Sequence, residues 1–70
     1  MEPHKQFAAN LRATRNKLGL SQEELGFRCG LHPTEISRLE RAVREPRLST
    51  MVRLARALDV KLADLVRNIR

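Results

Sequence analysis

The amino-acid sequence predicts an all-α fold, a compact domain of five short helices. Apolar residues recur three and four positions apart along five segments, and no segment alternates with a period of two. The chain has only two aromatic residues, so its core must be aliphatic, which suits helix-on-helix packing. Its 70 residues allow one domain. We expect residues 1–5 to form an N-terminal arm and residues 6–70 to form the domain.

The first two helices are predicted from their end signals. The first covers about residues 6–18 and stops at Gly19, a residue that often ends helices. The second begins after Ser21, a good N-cap that forms a capping box with the Glu three residues later. It stops at Gly30.

The other three helices follow from apolar spacing and one proline. The third starts at Pro33, whose missing N–H suits the first helical position. A loop over residues 42–47 leads to the fourth helix, about residues 48–58, which has apolar side chains at the i, i+3, i+4 and i+7 positions. The fifth helix covers about residues 62–68.

Residues 21–40 carry the most informative pattern. Two short helices flank a tight turn that contains Gly30, where a positive φ is common. Gly26 lies where the two helix axes must approach closely, and Ile36 and Leu39 face the core. This arrangement is typical of a helix-turn-helix, whose second helix enters the major groove of DNA.

The composition favours a nucleic-acid partner and argues against several other classes. A net charge of +6 attracts a polyanion, with nucleic acid first and an anionic membrane second. Cys29 has no second cysteine to pair with, and His4 and His32 lie far apart, so we expect no metal and no cofactor. No apolar stretch approaches the ~20 residues of a membrane span, and no signal peptide is evident. We expect a cytoplasmic protein.

Four ordered runs of residues resemble the Cro and phage-repressor (Xre) family. They are LSQEEL at 20–25, ISRLER at 36–41, REP at 44–46 and LARAL at 54–58. The similarity extends over about residues 6–67. The resemblance implies a five-helix DNA-binding domain that dimerises and binds a palindromic operator.

The chain departs from this family at several turns. Ala42 and Asp59 stand where Gly is usual, and Ala would cost about 1 kcal/mol if φ there stays positive. Lys61 replaces the Ser cap of the fifth helix and cannot accept a hydrogen bond. We therefore expect the region of the fourth and fifth helices to be less well fixed. His32 replaces the Ser cap of the third helix and is followed by Pro33, which leaves base contacts at the helix start open.

Candidate base contacts lie on the exposed face of the third helix. With Ile36 and Leu39 turned to the core, the exposed side chains include Thr34, Ser37 and Arg38. Arg38 can pair with guanine O6 and N7, or it can contact a phosphate. Thr34 and Ser37 can each contact a base edge or a thymine methyl group.

The resemblance adds further site residues. It implies contacts to the DNA backbone from Gln22, Arg41, Arg44 and Arg47. The N-terminus of the second helix, where Gln22 lies, is suited to a phosphate, and the three arginines reach either phosphates or the minor groove. Arg15 and Glu40 resemble a structural ion pair that joins the first helix to the end of the third.

The C-terminal end is the predicted dimer interface. An apolar stripe formed by Leu62, Leu65, Val66 and Ile69 supplies it, although part of the stripe must pack on the domain's own core. Two copies would place their recognition helices about 34–36 Å apart, which matches successive major grooves.

The function predicted is therefore a sequence-specific transcriptional regulator: a repressor, an autoregulator or a restriction-modification controller. The short chain suggests no ligand-binding second domain, so no small-molecule ligand is expected. A DNA-binding antitoxin is the main alternative, and a toxin or polymerase partner stays open. A basic membrane-binding helix is a weaker alternative, suggested by Arg12, Arg15 and Lys17 opposite an apolar stripe. We do not expect an enzyme, because no nucleophile elbow, metal set or Gly-rich phosphate loop is present.

Overall fold

Five helices follow one another along the part of the chain that the structure describes, residues 2–70 of a computed structural model. They are α1 (Pro3–Lys17), α2 (Gln22–Cys29), α3 (Pro33–Glu40), α4 (Leu48–Leu58) and α5 (Leu62–Leu65). No strand occurs within these residues. The predicted all-α class and the number of helices are confirmed.

Two helix ends differ from the prediction. α1 begins at Pro3 rather than near residue 6, so the expected arm is wrong from Pro3 onward. The reason is local, because proline is well suited to the first helical turn and Glu2 ahead of it is extended. α5 ends at Leu65, earlier than predicted, and the chain turns through Asn68 at a φ of 66°.

The core lies where α1, α2, α3 and α4 meet and is closed by α5. α2 packs on α3 and α4, while α1 packs on α3 and α5. The largest fully buried side chains are Phe7, Leu11, Leu25, Ile36, Leu54, Leu58 and Leu65. Each helix contributes at least one of them, so no helix can shift without opening the core.

The turns after α3 and α4 each contain a residue with a positive φ, and one glycine allows a close approach between backbone segments. Ala42 and Asp59 adopt φ values of 59° and 54°, the left-handed region anticipated for both positions. Gly26 allows α2 to approach the following turn, because a Cβ there would lie 2.5 Å from the carbonyl oxygen of Leu31. The absence of a side chain at Gly26 therefore permits the close crossing of α2 and α3.

The α5 region is held by bonds that the sequence analysis did not identify. The Asp64 carboxylate accepts a hydrogen bond from the backbone N–H of Lys61 at 3.0 Å. The buried side chain of Asn10 donates to the carbonyl oxygens of Leu65 (3.0 Å) and Arg67 (2.8 Å). α1 therefore anchors the C-terminal segment directly, without a side-chain cap at Lys61.

Candidate nucleic-acid interface

The helix-turn-helix begins with a complete capping box. The Ser21 hydroxyl accepts from the backbone N–H of Glu24, and the Glu24 carboxylate accepts from the backbone N–H of Ser21, both at 2.9 Å. The hydrogen bond that the Ser21 backbone N–H donates to the carboxylate, with a smaller contribution from the Ser21 side chain, lowers the pKa of Glu24. α2 then ends at Gly30, in a left-handed conformation at a φ of 72°.

α3 is capped by a histidine. His32 Nδ1 accepts a hydrogen bond from the backbone N–H of Thr34 at 3.1 Å, and Pro33 occupies the first helical position. The imidazole nitrogen therefore accepts the hydrogen bond that a Ser oxygen usually accepts at this position. The start of α3 is consequently well defined despite the unusual residues.

The exposed face of α3 carries the predicted base-contacting residues. Ile36 and Leu39 are buried, Thr34 and Arg38 are exposed, and Ser37 is half-buried. The Ser37 hydroxyl accepts from Arg41 Nε at 3.1 Å, which links a predicted base contact to a predicted backbone contact. The positions of these polar side chains, 34, 37, 38 and 41, follow the i, i+3, i+4 and i+7 spacing of one helix face.

Behind α3 lies the ion pair expected between Arg15 and Glu40. Arg15 Nε and Nη2 donate to the two Glu40 carboxylate oxygens at 2.6 and 2.9 Å, and Nη1 donates to the Leu20 carbonyl at 2.7 Å. The Glu40 side chain is 2% exposed and that of Arg15 is 11% exposed. The hydrogen bond and charge of Glu40 raise the pKa of Arg15, against the opposing effect of burial. Gln22 also donates to Glu40, at 3.2 Å, so its amide joins this network.

A cleft rich in arginine runs beside α3. It has a volume of about 460 Å³ and is lined by α3, the following loop and the first turns of α4. Its basic side chains are Arg38, Arg44, Arg47 and Arg53. The predicted reader Arg38 thus shares one concave surface with two of the predicted backbone contacts. Arg41 does not line this arginine cleft and lies on the side of Ser37.

Arg53 was not identified from the sequence. Its Nε and Nη2 donate to the Cys29 carbonyl at 3.1 and 2.7 Å, and Nη2 also donates to the Gly30 carbonyl at 3.2 Å. A cation is favourable at the C-terminus of α2, where carbonyl groups lack partners. Arg53 therefore ties α4 to the turn that precedes α3. No local signal marks it, since the contact needs α4 folded against α2.

Asn10 was also not predicted as a structural residue, although the sequence contains a signal for it. It is a polar residue next to Leu11 on the apolar face of α1, and a buried amide needs partners. Its carbonyl oxygen accepts from Gln6 Nε2 at 3.0 Å, while its amino group holds the C-terminal segment.

The four residues of the predicted dimer interface differ in their exposure. Leu65 is 0% exposed and packs in the core, so its assignment to a partner interface is wrong. Leu62, Val66 and Ile69 are half-buried. Val66 and Ile69 line an apolar cleft of about 310 Å³ together with Met51.

Three other features of residues 2–70 bear on function: potential metal ligands, the Cys29 thiol and the length of the helices. The structure contains no group of His, Cys, Asp and Glu side chains arranged to hold a metal there. Burial raises the pKa of the Cys29 thiol, which suits a core residue rather than a reactive one. None of the helices described is long and apolar enough to cross a membrane.

Comparison with known proteins identifies the family. A family model described as helix-turn-helix matches residues 11–65. The chain belongs to this helix-turn-helix family. The match spans α2 and α3 as well as the helices that support them. The relatives found are named as transcriptional regulators and control proteins, not as enzymes.

Individual relatives agree with this assignment. The chain is 44% identical over 59 residues to control protein C.SmaI of Serratia marcescens, an alignment that covers 84% of this chain and 70% of the relative. It is 44% identical over 66 residues to the uncharacterized HTH-type transcriptional regulator y4dL of Sinorhizobium fredii. That alignment covers 84% of this chain but only 34% of the longer relative.

A solved structure shows the same fold. The restriction-modification controller protein C.AhdI of Aeromonas hydrophila superimposes with a TM-score of 0.86 at 37% sequence identity. The match covers 89% of this chain and 94% of the controller protein. The similarity therefore extends over nearly the whole of both chains.

Proposed function

We propose that the protein regulates transcription in the cytoplasm by binding a palindromic DNA operator as a homodimer, with α3 in the major groove. The observation that carries the proposal is the surface formed by α3 and the arginine cleft. It presents Thr34 and Arg38 on an exposed helix face, flanked by further arginines. A basic surface around a short exposed helix is the footprint expected of a major-groove reader.

Base reading is assigned to α3. Arg38 is exposed and can offer its planar guanidinium to guanine O6 and N7. Thr34 lies one turn earlier on the same face. Ser37, held by Arg41, is presented at the edge of that face. These three residues, Thr34, Ser37 and Arg38, are the proposed base contacts.

Backbone binding is assigned to the two flanks of α3. On one flank, α4 begins without a side-chain cap and without an acidic residue in its first turn. Its free N–H groups suit an anion, and Arg44 and Arg47 adjoin them. On the other flank lie the side chains of Arg41 and Gln22; the N-terminus of α2 itself is already capped by Ser21 and carries acidic residues in its first turn. Phosphates on both sides of the groove could thereby be held.

Dimerisation is assigned to the half-buried C-terminal residues Leu62, Val66 and Ile69. One α3 makes too few base contacts for tight specific binding, and a symmetric pair would double them. The anchoring of this segment by Asn10 supports the assignment, because a fixed surface loses less entropy on association.

A controller or autoregulator is the role best supported. The relatives C.SmaI and C.AhdI are both named as control proteins, and C.AhdI as a restriction-modification controller. We propose that this chain controls a small set of genes through its own concentration.

A DNA-binding antitoxin is the second candidate, and one observation favours it. Phe27 is 91% exposed on the outer face of α2, where an apolar side chain could contact a protein partner, either a toxin or the polymerase. A stable complex between the purified chain and the product of an adjacent gene would favour this role over a simple controller.

The experiment that tests the proposed function is selection of duplexes from a random DNA pool, followed by sedimentation of the free and bound protein. We expect one palindromic motif and two chains per duplex. Enrichment of no motif would overturn sequence-specific regulation, and one chain per duplex at full affinity would overturn the dimer.

A further inference from the structure

Three helices of the chain carry an acidic residue at their third position, and one of these residues behaves differently. In α2 and α5, Glu24 and Asp64 accept a hydrogen bond from the backbone N–H of their own N-cap residue, at 2.9 and 3.0 Å. Glu35 occupies the same position in α3, where capping is provided by His32. Within residues 2–70 the Glu35 carboxylate takes part in no hydrogen bond and no salt bridge.

Glu35 is one of two carboxylates that line the arginine cleft; the other, Glu45, lies in the loop after α3, 3.9 Å from His4. The half-buried side chain of Glu35 lines the cleft one helical turn before Arg38. A carboxylate on the surface that meets DNA repels phosphate and lowers affinity for any sequence. The only benefit visible within the domain is a favourable position near the start of α3, which Glu35 would obtain equally well if it were turned toward the cap.

The chemistry of a carboxylate defines what it can bind in a major groove. An ionised carboxylate only accepts hydrogen bonds. Cytosine presents the N4 amino group there, adenine presents N6 beside the acceptor N7, and guanine and thymine present acceptors. Cytosine is the base whose edge offers Glu35 a donor with no acceptor next to it.

We propose that Glu35 is a specificity-determining residue that accepts a hydrogen bond from cytosine N4 and disfavours other bases at that position. The inference rests on the proposed function, because it requires α3 to lie in the major groove. Three residues of helix advance about 4.5 Å along the axis, close to the base-pair spacing of about 3.4 Å. Glu35 therefore addresses the base pair next to the one read by Arg38.

The test compares DNA motifs selected by four proteins: wild type, Glu35→Ala, Glu35→Gln and the control Glu23→Gln. The control removes the same charge from an exposed position on α2 outside the arginine cleft. Melting curves of all four proteins establish that each is folded at the temperature of the selection.

We expect the wild type to select cytosine at one symmetric position in each half-site, next to the Arg38 position, with roughly tenfold discrimination. Glu35→Ala should lose that preference while binding DNA without the motif more tightly. Glu35→Gln should shift the preference to adenine, since an amide can pair with both N6 and N7. Glu23→Gln should raise non-specific affinity and leave the motif unchanged.

Two outcomes would overturn the inference separately from the proposed function. An identical motif for wild type and Glu35→Ala would show that Glu35 reads no base. A uniform loss of affinity with a lower melting temperature, and no change in motif, would show a purely structural role. If the wild type selected no motif at all, the proposed function itself would fail, and this inference with it.

Discussion

Replacing Glu40 by alanine should severely destabilise the protein in the absence of DNA. The carboxylate is almost completely buried and accepts two hydrogen bonds from Arg15 at 2.6 and 2.9 Å. Without it, the guanidinium keeps only its bond to the Leu20 carbonyl. Removing one partner of a buried ion pair costs about 3–5 kcal/mol, because the other charge stays buried without compensation.

That cost is large for a domain of this size. A chain of 70 residues is expected to have a free energy of unfolding of roughly 4–10 kcal/mol. In a small domain each 1 kcal/mol lowers Tm by about 4–8 °C. We therefore expect Glu40→Ala to lower Tm by at least ~12 °C, or to unfold the protein at room temperature.

The assay is thermal unfolding followed by circular dichroism, with a double variant as the matched control. Arg15→Met combined with Glu40→Leu removes both charges and should recover much of the loss, because no buried charge remains unpaired. A melting curve for Glu40→Ala within a few degrees of wild type would refute the reasoning, since it would place the pair in the range of solvated surface ion pairs.

Five further variants test the interface and the turns. Arg38→Ala should reduce base discrimination by about 1–3 kcal/mol at one symmetric position. Arg44→Ala should weaken binding to all DNA sequences alike and lower the slope of log affinity against log salt concentration by about one. Exchanged phenotypes in binding titrations would reverse the two roles. Ile69→Asp should give monomers in ultracentrifugation at an unchanged fold, and a persistent dimer would move the interface elsewhere. Asn10→Ala should weaken dimerisation, because the carbonyl groups of the C-terminal segment lose their hydrogen-bond donor. The loss of dimer affinity should exceed that of a surface variant with the same Tm. Equal dimer affinities for the two variants would limit Asn10 to a role in folding. Ala42→Gly should raise stability by up to about 1 kcal/mol in denaturant titration, because φ at position 42 is positive, and a loss of stability would contradict this.

The candidate site could be predicted in part from the sequence. The exposed positions of Thr34 and Arg38 follow from Ile36 and Leu39, because helix geometry alone separates the two faces. Glu35 was overlooked because its spacing places it at the flank of α3, between the core and the exposed face. Its significance depends on the cleft that α4 and the preceding loop build beside it.

Local signals in the amino-acid sequence specify the helices and the kind of surface that they present. Capping residues, a proline, turn glycines and apolar spacing are local signals, so the turn at Gly30 and the helix start at Pro33 could be read within a few residues. Which side chains are buried, and which contact each other across the fold, depends on the packing of the helices. Leu65 is buried rather than available to a partner, Arg53 reaches the end of α2 from 24 residues away, and Asn10 reaches the C-terminal segment from 55 residues away. Such contacts depend on how the helices pack in three dimensions, and no spacing along the chain encodes that arrangement directly.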